Sequence, residues 1–122
     1  MSTKQQTAIE PHDLARKVAL LAEDKKAADI LVLDVSGLTT VTEAFVICTG
    51  GSEPQLAAIT ESIVNGMAED GSTPAHRHRA AASHWIVLDY GSVIVHIFTP
   101  PERDFYKLEQ LWSDAKVLVR IQ

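Results

Sequence analysis

Residues 85–98 read Trp85-Ile86-Val87-Leu88-Asp89-Tyr90-Gly91-Ser92-Val93-Ile94-Val95-His96-Ile97-Phe98. Two runs rich in β-branched and aromatic residues flank Gly91-Ser92, a pair that favours a tight turn of the II′ kind, so the stretch predicts a β-hairpin. Such a turn sets Tyr90 opposite Val93, Leu88 opposite Val95 and Ile86 opposite Ile97. Side chains alternate along a strand, so these residues share an aliphatic face expected to sit on helices. The other face carries Trp85, Val87, Asp89, Ile94, His96 and Phe98. Its mixture of aromatic, aliphatic and titratable groups fits two arrangements: a surface that meets a partner, or a sheet face covered by a second helix layer.

Outward from the hairpin, the chain supplies the rest of a sheet and its helices. Upstream, Asp29 to Val35 reads as a buried strand ended by Ser36-Gly37, and Ala44 to Thr49 follows closely enough for the two to pair directly. Pro11 suits the first turn of a helix whose Leu14, Val18 and Leu21 recur at helical spacing toward Lys25-Lys26. Gly50-Gly51-Ser52 ends the second strand. Ser52 with Gln55 forms a capping box that opens a helix striped by Leu56, Ile59, Ile63 and Met67 and closed by Gly71. Pro74 to Arg79 reads as a weak strand.

Downstream, Pro100-Pro101 starts a last helix expected to run to about Trp112, and Lys116 to Ile121 reads as a final short strand. A helical wheel for 100–112 groups Phe105, Leu108 and Trp112 on one side with Leu111 at its margin. Arg103, Tyr106, Lys107 and Gln110 point the other way, the composition of a binding hot spot or of a solvated helix face. The expected fold class is α/β, a mixed β-sheet flanked by α-helices, in one domain spanning 11–122 behind a frayed, polar N-terminus at 1–10.

Composition bounds the function. The chain has 122 residues, 46% apolar and 22% charged, which fits one globular domain with a real core. No apolar run approaches the about 20 residues of a membrane span, and Met1 to Gln6 is polar without the apolar stretch of a secretory signal. The single cysteine, Cys48, has no internal disulfide partner and fits a reducing, cytoplasmic setting. Eleven basic against sixteen acidic residues leave a net charge of −5, which disfavours sequence-specific or bulk nucleic-acid binding and suits a basic partner.

Gly50, Gly51 and Ser52 could form an anion-binding turn, because amides at a helix N-terminus carry positive partial charge. That turn resembles the Gly-Ser turn of the nucleotidyltransferase fold, yet Glu53 and Glu61 are the only carboxylates that follow Ser52 on this helix's first turns and no Asp-x-Asp pair accompanies them, so a catalytic magnesium site is not expected. His76 and His78 alternate, with His84 nearby, but the set is incomplete for zinc, and a basic solvated edge is the expectation. Cys48 lies within an apolar run and should be inert. No catalytic residue, cofactor or metal is expected.

The same residues carry a resemblance. DILVLDVSG at 29–37, Thr42-x-x-Phe45-Val46-Ile47-Cys48-Thr49-Gly50, WIVLDYG at 85–91, VIVHIF at 93–98 and Arg103-x-Phe105-Tyr106-x-Leu108-Glu109-x-Leu111-Trp112-x-Asp114 follow in order over about residues 11–118. Together they closely resemble the ribosomal silencing factor, or Iojap, family. The resemblance implies a fold similar to nucleotidyltransferases without their activity. It implies binding to the large ribosomal subunit through ribosomal protein L-fourteen, which sterically blocks joining of the small subunit and lowers translation in starvation or stationary phase. It also implies a homodimer when free, and organellar relatives that act in large-subunit assembly. By position in the matching motifs, Trp85, Asp89, Tyr90, His96, Arg103, Tyr106, Glu109 and Trp112 are the expected partner-binding set. One departure stands out: where relatives usually carry a Glu-Gly pair, this chain has His78-Arg79, which puts the role of residues 76–84 in doubt.

Overall fold

Pro11, with φ already fixed for helix, opens α1 (Pro11–Asp24), which buries Leu14, Ala15, Val18, Ala19 and Ala22 along one stripe. The computed structural model describes residues 10–79 and 84–122; the expected frayed segment falls, except for Glu10, outside the described residues. After α1 come β1 (Ala28–Asp34) and β2 (Ala44–Thr49), paired antiparallel as their short connection implied, with Val32 opposite Val46. The β1–β2 register shifts between Ala28 and Leu31, and every residue of β2 is buried.

From Ser52 the chain enters α2 (Glu53–Glu69), which packs Leu56, Ile59, Ile63 and Met67 onto the same sheet face as α1. Gly66 lets the two helices approach: a Cβ there would lie 2.5 Å from Leu21 Cδ2. Then follow β3 (His76–Arg79), β4 (Trp85–Asp89) and β5 (Val93–Phe98). The hairpin has the expected register, Leu88 opposite Val95 and Ile86 opposite Ile97. Gly91 takes φ +85° at its turn, and the Tyr90 N–H donates to the Val93 carbonyl at 2.8 Å.

The sheet is mixed and six-stranded, in the order β3-β4-β5-β2-β1-β6, with β6 (Lys116–Ile121) at the far edge. Only β2 and β5 pair in parallel among these strands, because α2 and the β3–β4 segment intervene between them. Ile86, Leu88, Val95 and Ile97 face α1 and α2, as the alternation required. The opposite face buries Leu31, Leu33, Phe45, Ile47 and Phe98, with Trp85, Leu108 and Trp112 packed against them.

The last helix corrects the sequence reading. It is not continuous to Trp112: α3 (Pro100–Tyr106) stops at Lys107, which takes left-handed φ 47°, ψ 47°, and a single turn, α4 (Leu108–Leu111), follows. A left-handed residue resets the helical phase, so the positions after 107 no longer share one wheel with those before it. Leu108 and Trp112 do pack inward, but Phe105 and Leu111 stand 76% and 74% exposed. Tyr106 lies over Trp85 while staying 42% exposed, and the Arg103 side chain is nearly buried, only 12% exposed.

Candidate functional site

Pairing of β4 with β5 sets Trp85 directly opposite Phe98, and their rings stack at 4.9 Å. His96, two residues back along β5, lies on the same face and diagonal to Trp85. The indole Nε1–H donates to His96 Nδ1 at 3.2 Å. Phe45 of β2 meets His96 edge-on at 5.1 Å and Trp112 at 5.2 Å. Tyr106 covers the outer side of Trp85 at 4.6 Å, and Phe105 abuts Tyr106 at 5.0 Å. The result is a continuous run of rings, from Trp112 packed over Phe45 to Phe105 in solvent.

The short α3–α4 segment therefore covers the open sheet face only in part. Of the two arrangements open to that face, the structure adopts an intermediate one, with Trp85, Val87, Asp89 and Ile94 all half-buried. Exposed Phe105, Tyr106, Leu111 and Val117 lie along the covering segment and the β6 edge. Apolar residues exposed side by side beside polar neighbours are the usual make-up of a protein-contact surface.

His96 is 8% exposed, and burial pushes its imidazole from 6.5 down to about 4. It is neutral at pH 7. Because Nδ1 accepts from Trp85, the proton sits on Nε2, which is buried without a partner. His96 thus orients Trp85 from beneath and does not itself reach the surface.

The other expected site residues are distributed over the fold. Asp89 turns its carboxylate back to the hairpin, where Oδ1 accepts from the Gly91 N–H at 2.7 Å. Tyr90 belongs to the helix-covered side, packed against the main core with its hydroxyl buried. Burial raises the Tyr90 hydroxyl, an effect partly offset by nearby Arg77. Arg103 and Glu109 form a unit at the sheet's other end: Arg103 Nε donates to Glu109 Oε2 at 3.2 Å, and Nη1 to Thr49 Oγ1 at 2.9 Å and to the Asp29 carbonyl. The eight residues read from the motifs are thus not one patch.

At the glycine turn, the Gly50 N–H donates to the Phe98 carbonyl at 2.8 Å and the Gly51 N–H to Gln55 Oε1 at 2.6 Å. Ser52 caps α2 as the sequence indicated, its Oγ accepting from the Gln55 N–H at 3.3 Å. Gln55 Nε2 reaches back to the Lys25 and Lys26 carbonyls at 3.2 and 3.0 Å. The side chain of Gln55 takes the place an anion would occupy against Gly51. Burial drives the Cys48 thiol up to about 12, which makes it unreactive.

The His76–Arg79 stretch is a fully exposed edge strand. Arg79 and His84 both meet Glu53, at 2.6 and 2.8 Å. Among the described residues, no three His, Cys, Asp or Glu side chains gather as a metal site, and no helix is long and apolar enough to cross a membrane. Two features were not visible in the sequence: the reach of Gln55 to α1, and the left-handed backbone at Asp29 and Lys107. Neither position carries the Gly that usually signals such a conformation.

The comparisons with known proteins agree with this architecture. A crystal structure of a Chromobacterium violaceum protein superposes with a TM-score of 0.82 at 30% identity, covering 86% of this chain and 88% of that one. A second, from Bacillus halodurans, gives 0.76 at 30% identity over 88% and 98% of the two chains. In sequence, the chain is 40% identical to the ribosomal silencing factor RsfS of Bacillus subtilis over 100 residues, 81% of this chain and 85% of that protein. It is 39% identical to the chloroplastic protein Iojap of Arabidopsis thaliana over 83% of this chain, which spans 42% of that longer protein. The family described as "Ribosomal silencing factor during starvation" matches residues 7–122. With its glycine turn closed on itself and its ring-lined sheet face half open, the chain belongs to the ribosomal silencing factor family.

Proposed function

We propose that this protein is a non-enzymatic regulator of translation in the cytoplasm, acting by steric exclusion on the large ribosomal subunit. Its partner there is ribosomal protein L-fourteen, and its contact surface is the ring-lined face. Trp85, Tyr106 and exposed Phe105 make the contact, with His96 and Trp112 supporting them from below and Asp89 fixing the adjoining hairpin end. Tyr90, Arg103 and Glu109 hold the elements that frame this face.

The observation that carries the reading is the half-covered run of rings ending in exposed Phe105, in a chain whose family is named for ribosomal silencing. Its net charge of −5 favours encounter with a basic partner. Silencing needs no chemistry: a rigid domain seated where the subunits meet excludes the small subunit in proportion to its occupancy. When free, the same apolar face makes a self-complementary contact between two copies, a homodimer that opens on binding.

Co-sedimentation with separated large subunits, small subunits and preformed full ribosomes tests this. The expected result is association with large subunits alone, and fewer full ribosomes when small subunits are added afterwards. Association with no particle, or with small subunits, overturns it.

A further inference from the structure

At the end of the sheet away from the hairpin turn lies a cavity of about 440 Å³, within the range of small-molecule sites. Thr49 and Pro100 line it, so it opens at the carboxyl ends of β2 and β5, the parallel pair. In open α/β sheets, ligands bind beyond the carboxyl ends of parallel strands.

Its wall is charged with both signs. Arg103, Lys107 and Arg120 supply cations, and Asp29, Asp104 and Glu109 supply anions. Arg103 and Glu109 pair with each other, whereas Lys107, Arg120, Asp29 and Asp104 form no ion pair among the described residues. Three hydrogen bonds through Nε and Nη1 hold the Arg103 guanidinium still, and among the described residues its Nη2 makes no hydrogen bond. Such a pinned fork presents a free edge at little entropic cost.

The backbone gives a second, independent observation. Of the three non-glycine residues with left-handed backbone among the described residues, Lys26, Asp29 and Lys107, the last two line this cavity, at φ 48° and 47°. Strained residues of this kind gather at ligand clamps, because the fold must hold them there against their preference.

From this geometry we infer a binding site for a small zwitterion of the α-amino-acid type, its carboxylate on Arg103 with Arg120, its ammonium on Asp104 with Asp29. Unpaired charges of both signs around one cavity match a ligand carrying both, and match a simple anion or cation poorly.

The test uses the isotope-labelled full chain without ribosomes, so its failure is separate from failure of the silencing reading. Backbone amide shifts are followed while L-glutamine is added, with acetate and methylammonium as half-ligand controls. Saturable shifts at Thr49, Lys107 and Arg120 are expected at about 1–10 mM L-glutamine, with neither control saturating in that range. Arg120→Gln and Asp104→Asn, both on the cavity wall, should each weaken binding about tenfold with the rest of the spectrum unchanged. No saturation by L-glutamine, equal saturation by acetate alone, or indifference to both substitutions overturns the assignment.

Discussion

Trp85 and His96 are joined across the hairpin by an indole N–H that donates to a buried, neutral imidazole. The arrangement has a cost, since it leaves His96 Nε2–H without an acceptor in an aromatic surround. An unpaired buried donor costs about 1–3 kcal/mol. A phenylalanine would fill the site without that cost, so the histidine is explained by what it does to Trp85.

His96→Phe should therefore leave thermal stability unchanged or raised, yet remove one of the contacts that orient the indole. Measured in a Trp112→Phe background, Trp85 emission should shift, and large-subunit binding should weaken about fivefold, roughly 1 kcal/mol. His96→Asn, which keeps an acceptor near Nδ1, should restore both. Equal binding by all three proteins would remove His96 from the site.

The same residue gives a pH dependence. Its folded value of about 4 lies below the 6.5 of an unfolded histidine, so the unfolded chain takes up the proton first. Its contribution is complete above pH 6.5, falls between 6.5 and about 4, and levels off below. The loss is at most about 3 kcal/mol. Urea midpoints measured across that window should show a slope that His96→Phe reduces.

Phe105 and Tyr106 separate the wheel from the structure. Tyr106→Ala removes a ring that lies tilted against Trp85 and should cost about 1–2 kcal/mol of stability. Phe105→Ala should change stability by under about 0.5 kcal/mol, because the residue is 76% exposed. Its effect should instead fall on large-subunit binding. If Phe105→Ala unfolds the protein and Tyr106→Ala does not, the wheel was right.

The contrast shows what the sequence could carry. The hairpin register was legible because alternation and the Gly91 turn admit one pairing, and a slip by one residue would bury Asp89 and expose Leu88. The helix cap at Ser52 was legible from its local spacing. The break at Lys107 was not, since lysine gives no sign of left-handed backbone; Leu108 and Trp112 beyond it still pack inward, and the misplaced residues are Phe105 and Leu111, one on each side of it. Arg103 and Glu109 were named from motif position, but their partners Asp29 and Thr49 lie 74 and 54 residues away from Arg103. No local pattern encodes that.

Gln55 offers a test of the closed glycine turn. Its side chain bonds Gly51, Lys25 and Lys26, tying the start of α2 to the end of α1. Gln55→Ala should lower stability by about 1–2 kcal/mol in thermal melts. Gln55→Glu should be no better, because it keeps the acceptor for Gly51 but sets a carboxylate against two carbonyls. Wild-type stability in both variants would mean that water replaces the amide without loss.

Asp89 requires that fold and contact be read apart. Its Oδ1 accepts from the Gly91 N–H, so the carboxylate stabilises the turn that fixes the hairpin. Asp89→Asn keeps an acceptor there and should hold stability within about 0.5 kcal/mol, whereas Asp89→Lys should lose about 1 kcal/mol. Large-subunit binding then decides the role. If Asn and Lys both weaken it, the negative charge meets the partner; if only Lys does, Asp89 acts through the turn. Binding unaffected by either places Asp89 outside the contact altogether, and leaves the run from Trp85 to Phe105 as the whole of that surface.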